Sequence, residues 1–301
     1  MPSSPRRTSQ TLRKAAPAYL FLTPWLLGLL GLTMGPTLIS LYLSFTSFDL
    51  FQAPQWIGAD NYLRIATADP NFMASMRVTF MFVVTAVPLK LCFALALAMI
   101  LNRGISGLPV YRAIFYLPSL LGSSIAVAIL WRQLFAGDGV VNGLLAPFGI
   151  QGPSWISDPR YSLWSLVLLS AWQFGSPMVI FLAGLRQIPT DLYEAASIDG
   201  ATRLRKFVSI TLPLLTPVIF FNFIVAMIDA FQSFTPAFVV SRGTGGPLNS
   251  TLFYALYIYR EAFGFFHMGY ASALAWVLLV IIAIFTAIAF LTSRFWVYYD
   301  A

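Results

Sequence analysis

Asp229 stands deep inside an apolar run, with Asn222 seven residues before it on the same helical face and Gln232 three residues after. A second run holds Trp172, Gln173 and Ser176, and a third holds Lys90. Amides, carboxylates and hydroxyls beside an aromatic ring can hydrogen-bond a polar solute and stack on its apolar face. Polar groups are costly inside a bilayer and usually face a bundle interior or a wet cavity. A lysine at a helix centre costs about 2.5–3.5 kcal/mol on insertion scales. Each of these residues also suits a plainer role as interhelical glue. For Lys90 that role is a packing contact or a bond to a neighbouring carbonyl. Other chemistry finds no residues to carry it. No G-x-x-x-x-G-K-[ST] occurs, so the chain does not itself cradle ATP phosphates. His267 is the only histidine and Cys92 the only cysteine, which argues against a metal or haem centre and rules out an intramolecular disulfide. A membrane-embedded enzyme would need clustered His, Cys or paired carboxylates that are missing.

The elements that must position these residues are membrane helices. Of 301 residues 58% are hydrophobic and only 10% charged, far from the roughly 25% charged residues of a soluble domain. Six stretches approach the ~20 apolar residues that a helical span requires: about 19–45, 78–101, 113–135, 163–185, 212–234 and 271–293. The expected fold class is therefore all-α, a polytopic protein with six transmembrane helices. A cytoplasmic tail covers 1–16 and a transmembrane domain 17–301. Prolines inside several spans (Pro24, Pro36, Pro88, Pro118, Pro177, Pro217) are tolerated because neighbouring helices satisfy the freed backbone groups. Arg6, Arg7, Arg13, Lys14, Arg103, Arg112, Arg186, Arg203, Arg205, Lys206 and Arg294 fall on one side, and Arg64, Arg77, Arg132, Arg160, Arg242 and Arg260 on the other. This bias predicts that both termini and the 189–211 connection lie in the cytoplasm. The net charge of +7 thus reads as a topology signal and not as nucleic-acid binding. The outer stretch "NSTLFYALYIYREAFGFF" is aromatic enough to lie at or dip into the outer interface.

The connection between the fourth and fifth spans has its own design. Pro189 stops the fourth span, and Asp191 followed by Glu194 has the spacing of a capping pair. A short helix over about 192–198 meets Asp199-Gly200, which permits a sharp bend, and Asp199 is placed to cap a second short helix. Leu212-Pro213 closes the unit, the proline falling in the first turn of the fifth span. Ala195 and Ala196 allow close approach of another backbone, with Glu194 as one fixed charge. Spacing alone also fits an ordinary amphipathic connector on the membrane surface.

The pattern Glu194-Ala195-Ala196, Gly200, Ile210 and Leu212-Pro213 resembles the EAA loop of binding-protein-dependent ABC importer permeases. Further likeness to the MalF-like, sugar-importing branch lies in Asn102-Arg103 with Gly107, Arg112 with Pro118, "WRQLFAGDGVVNGLL", "GGPLNSTLFYALYIYREAF" and "MGYASALAW". The resemblance implies a type I ABC importer permease fold in the bacterial inner membrane. It also implies a heterodimer with a second permease subunit, two cytoplasmic ATPase subunits and an extracytoplasmic solute-binding protein. The chain itself needs no cofactor, because ATP and Mg belong to the ATPase partners. Glu194, Ala195, Ala196 and Gly200, supported by Asp199, Ile210, Leu212 and Pro213, are then the ATPase-coupling residues. Trp172, Gln173, Ser176, Asn222, Asp229 and Gln232 become candidates for the path of a sugar. Glycerol phosphate or another small solute is the alternative cargo. A secondary transporter would need coupling-ion sites near the midplane. Lys90 and Asp229 are a thin supply for that, and the EAA pattern would go unexplained.

Overall fold

The structure is a computed structural model that describes residues 21–104, 107–122 and 124–298. The tail expected over 1–16 lies outside them. The chain begins as a helix, α1 (Phe21–Leu43), interrupted by one wide π turn at Gly28–Met34 ahead of Pro36. A two-residue hairpin follows, β1 (Thr46–Ser47) antiparallel to β2 (Gln55–Trp56), then α2 (Asp60–Thr67). The centre of the molecule is α3 (Pro70–Leu101). It starts eight residues before the expected 78, because Asp69 and Pro70 form a complete start signal. The Asp69 carboxylate accepts from the Asn71 and Phe72 N–H groups at 2.9 and 3.1 Å, and proline at the first position needs no donor.

The third and fourth expected spans are not single helices. The third divides into α4 (Leu108–Leu121) and α5 (Ile125–Leu134), set at 95°, with Ser124 capping the restart. After a short α6 (Val140–Leu145), the fourth divides into α7 (Ser162–Trp172) and α8 (Gly175–Leu185), bent by 43° at Gln173-Phe174. An apolar count cannot see such breaks, since the residues on both sides are equally hydrophobic.

The connection that follows carries α9 (Thr190–Ile198) and α10 (Arg203–Lys206). A π turn at Phe207–Thr211 carries α10 straight into α11 (Leu212–Phe231), so Pro213 does not close a separate unit. The wide turn spares the ring of Pro213 a clash with the preceding backbone, which keeps the helix running. Next come α12 (Thr235–Ser241), α13 (Tyr254–Tyr259) and α14 (Met268–Ser293). Among the described residues four helices are long and apolar enough to cross a membrane, or up to six spans if each bent pair counts as one.

Packing radiates from α3, which touches α7, α8, α11 and α13. Ala86, Ala94 and Ala98 on α3 are fully buried, and residues this small let neighbouring backbones come close. The first half of the aromatic stretch expected at the outer interface is core, while Tyr259, Phe263, Phe265 and Phe266 stay exposed. Leu252, Phe253, Tyr254 and Leu256 are all buried, with the Tyr254 hydroxyl donating to Leu274 O at 3.0 Å and the Tyr254 N–H to Thr79 Oγ1 at 2.8 Å.

Candidate functional site

Two features stand at different heights of the bundle, a polar cavity beside α3 and the helix α9 at one end. The cavity exists because of a register. Lys90 shares the i, i+4 stripe of Ala86, Ala94 and Ala98, so a long cation interrupts a row of methyl groups where helices otherwise close up. A compartment of about 390 Å³ is lined by Lys90, Gln173, Asp229, Gln232 and Ser233 among apolar neighbours. A second compartment of about 280 Å³ shares Lys90, Gln173 and Asp229 and adds Ser119, Ser176 and Asn222. Volumes of this order suit small-molecule sites. Lys90 therefore faces a cavity and not a helix seam. The ion pairs among the described residues do not join it to Asp229, although both charges look into the same space.

Of the sequence-derived path residues, Gln173, Ser176, Asn222, Asp229 and Gln232 line these compartments and Trp172 does not. The Trp172 ring lies 6.2 Å from that of Trp131, so it belongs to an aromatic contact with α5. Asn222 is buried and donates to Val218 O one turn back at 3.1 Å, which leaves its carbonyl oxygen for a ligand.

Sequence reasoning missed Ser119. Its hydroxyl donates to Gln173 O at 3.0 Å and accepts from the Ser176 N–H at 2.9 Å, so one side chain of α4 satisfies both ends of the break between α7 and α8. The Gln173 amide donates to Gly122 O at 2.9 Å, tying the same break to the end of α4. Gly175 permits the contact, because a Cβ there would lie 2.5 Å from Phe115 O and 2.7 Å from Tyr116 Cα. A lone serine in a greasy helix carries no signal of this in the sequence. Lys90 had one, the alanines at four-residue spacing around it.

At the end of the bundle, α9 begins at Thr190 with no side-chain cap, so Asp191 and Glu194 do not form the expected capping pair. Asp191 lies inside the first turn, where a negative charge favours the positive helix end. Ala201 N–H donates to Ala196 O at 2.9 Å and Gly200 N–H to Ser197 O at 3.1 Å, which is a Schellman ending with Gly200 in the left-handed region at φ +72°. Thr202, not Asp199, caps α10 by accepting from the Arg205 N–H at 3.3 Å, since the glycine turn moves Asp199 back onto the first helix.

One face of α9 is clamped inward. The Tyr193 and Thr211 hydroxyls share a hydrogen bond of 2.9 Å, and Lys206 Nζ donates to Ser197 Oγ. The clamp reaches the π turn and α10, so α9 is fastened to the helix that carries Asn222 and Asp229. Tyr193, Ser197, Lys206 and Thr211 were not picked out from the sequence, although Tyr193 and Ser197 have the i, i+4 spacing of a shared face. The other face is open: Glu194, Ala195, Asp199 and Gly200 are exposed, and Ile198 is 87% exposed. Ala196 is half-buried. Ile210, Leu212 and Pro213 are half-buried in the π turn and the start of α11 and belong to the lever, not to the open face.

The far end of the bundle is held by Asp69, which accepts from the Tyr257 hydroxyl at 2.6 Å and from that of Tyr270. Burial by itself would raise its pKa, but the two phenols and the Phe72 and Asn71 N–H groups outweigh it and hold the carboxyl below its usual value. Burial, with the bond to Asp69, pushes the Tyr257 phenol up.

The family described as "Binding-protein-dependent transport system inner membrane component" matches residues 78–298. The chain is 52% identical to the probable ABC transporter permease protein YesP of Bacillus subtilis (strain 168) over 98% of its length and 96% of the relative's. It is 34% identical to the lactose transport system permease protein LacF of Rhizobium radiobacter, over 92% of its length and 93% of the relative's. In fold it is similar to a chain of the bacterial alginate ABC transporter in complex with an alginate pentasaccharide-bound periplasmic protein. The TM-score is 0.82 at 21% sequence identity, covering 96% of this chain and 98% of that one.

Proposed function

The chain belongs to the binding-protein-dependent transport system inner membrane components, as a multi-pass ABC importer permease and not an enzyme, and from that premise we propose that it imports a sugar by coupling ATPase motion through α9 to the Lys90–Asp229 cavity. The observation that carries the coupling half is mechanical. The open face of α9 offers Glu194, Ala195 and Ile198 to a partner, while its clamped face holds the foot of a continuous helix. From Arg203 to Phe231 that helix is about 40 Å long at 1.5 Å per residue, and it ends in the cavity wall. A push on α9 therefore moves Asn222 and Asp229.

In this reading both termini and α9 face the cytoplasm, in keeping with the excess of arginine and lysine at that end. The partners are a second permease subunit in a heterodimer, two ATPase subunits that hold ATP and Mg, and a binding protein on the opposite face. ATP binding closes the ATPases, α9 follows, and the cavity opens outward to receive sugar. Hydrolysis restores the inward-facing state. The transport of lactose by a relative 34% identical supports a sugar cargo, and the cavity chemistry suits it: amides and a carboxylate for hydroxyls, with phenylalanines for the apolar sugar face.

Glu194→Lys tests the coupling in the reconstituted complex. Retention of the ATPase subunits falls roughly tenfold or more, as for truncated charge pairs at interfaces, with sugar uptake falling alongside and insertion unchanged. Undiminished ATPase capture together with undiminished uptake would refute the docking role.

A further inference from the structure

The lever from Arg203 to Phe231 has a weak point between its foot and the cavity wall. Pro213 and Pro217 stand four residues apart, just past the π turn at Phe207–Thr211. Proline has no N–H, so Pro217 leaves Pro213 O without the donor that a continuous helix would bring to it. The residue before a proline is also pushed away from helical backbone angles. A push on α9 therefore meets a joint before it reaches Asn222 and Asp229.

Thr216 repairs the joint from within the helix. Its hydroxyl donates to Pro213 O at 2.6 Å, taking the place of the missing Pro217 N–H. The same oxygen accepts from the Tyr298 N–H at 2.9 Å, in the segment that follows α14. Thr216 is only 9% exposed, so little water competes for these bonds.

The segment after α14 turns back onto the lever. The Phe295 N–H donates to Thr292 O at 3.0 Å and the Val297 N–H to Ser293 O at 2.8 Å, which closes a last turn. Val297 is buried, and the Trp296 ring lies 5.8 Å from that of Phe220 at 76°. Phe220, itself buried, also packs edge-on against Phe290 of α14 at 5.0 Å and 89°. Edge-to-face pairs add attraction beyond the area they bury. The segment thus grips the lever on both sides of Pro217, at Thr216 before it and at Phe220 after it.

We propose that residues 294–298 form a splint across the proline joint of the lever, with Thr216 as the positioning residue through which it acts. The splint makes the two parts of the lever move as one body. Motion at α9 then arrives at the cavity instead of being absorbed as bending at Pro217. The inference deepens the coupling reading and rests on it. The plainer role for the segment is to stop α14 and cover apolar surface. A stop needs no hydrogen bond to another helix, and a cover has no reason to meet the one hydroxyl that fills the Pro217 gap.

The test is the distance between two spin labels on the lever, at Leu204→Cys before the joint and Phe221→Cys after it, in a Cys92→Ser background. Both positions are exposed, and they stand about 25 Å apart at 1.5 Å per residue. The complex with its permease and ATPase partners is held in lipid nanodiscs and measured without nucleotide and with ATP and vanadate. The native sequence keeps one distance in both states. Thr216→Val, which keeps the shape but loses the hydroxyl, and a chain ending at Arg294 each gain a second, shorter distance with ATP, because a kinked helix brings its ends together. Thr216→Ser retains the native distance. Unfolding midpoints show that each variant is folded, and the chain ending at Arg294 leaves the Thr216–Pro213 bond in place.

One unchanged distance in both variants overturns the splint. So does a shorter distance in Thr216→Val but not in the shortened chain, which would put the stiffness in the helix alone. A second pair, Leu204→Cys with the native Cys92 on α3, reports whether the lever moves at all. If ATP leaves that distance unchanged, the coupling reading falls and the splint with it. If that distance changes while the first pair stays single in every variant, only the splint falls.

Discussion

Gly200 is where backbone conformation and coupling meet. Its φ of +72° is required by the Schellman ending, yet a Cβ at this position would meet nothing within 4 Å inside the chain. The demand is conformational and not one of packing. Gly200→Ala costs about 1–2 kcal/mol at the end of α9 through left-handed strain, and lowers uptake per ATP hydrolysed in the reconstituted complex. Gly200→Asn, which tolerates that region, retains most of the coupling. If asparagine fails as badly as alanine, the position is touched by the ATPase partner itself. Glycine at this site was legible in the sequence because a bend before a helix restart leaves few other choices. The identity of the cap was not, since Asp199 and Thr202 are both good capping residues, and only the geometry of the turn decides which one faces α10.

At the scale of elements, the break between α7 and α8 is the part that composition hid. Backbone polar groups freed within a membrane span must find partners in the protein, and Ser119 supplies both. Ser119→Ala leaves Gln173 O and the Ser176 N–H without that partner, and costs about 1–3 kcal/mol for the unpaired groups. The expected readout is a lower unfolding midpoint in detergent together with altered solute affinity, because Gln173 and Ser176 line the cavity. Ser119→Thr, which keeps the hydroxyl, preserves affinity; an alanine variant with unchanged midpoint and affinity would show that the splint carries no weight. The helix from α10 through α11 makes the converse point. Pro213 looked like a start signal, and one π turn made it an interior residue of a longer lever. Proline restricts one residue, but whether a helix resumes on its far side depends on what the neighbours hold in place.

The whole molecule is drawn together at its far end by Asp69, which joins the start of α3 to Tyr257 of α13 and Tyr270 of α14. A carboxyl whose folded pKa lies below its unfolded value adds stability that is complete above the unfolded value and is lost as pH falls through the folded one. The unfolding midpoint of the purified permease therefore declines as the medium is acidified below about pH 4, and Asp69→Asn flattens that decline while lowering the midpoint at neutral pH. An unchanged acid profile in the variant would move the sensitivity to another carboxyl.

Hydrophobic run length and the EAA-like resemblance were enough to point to a polytopic helical permease and to mark α9. These are local or one-dimensional properties, read within a window of about twenty residues. Gathering Lys90 with Asp229, and Ser119 with the α7–α8 break, was left to the tertiary structure. Each grouping joins residues from different helices, and which faces meet depends on how small side chains on α3 let its neighbours close. Lys90 stands in the register of those alanines, and the compartments it lines lie at that level of the row.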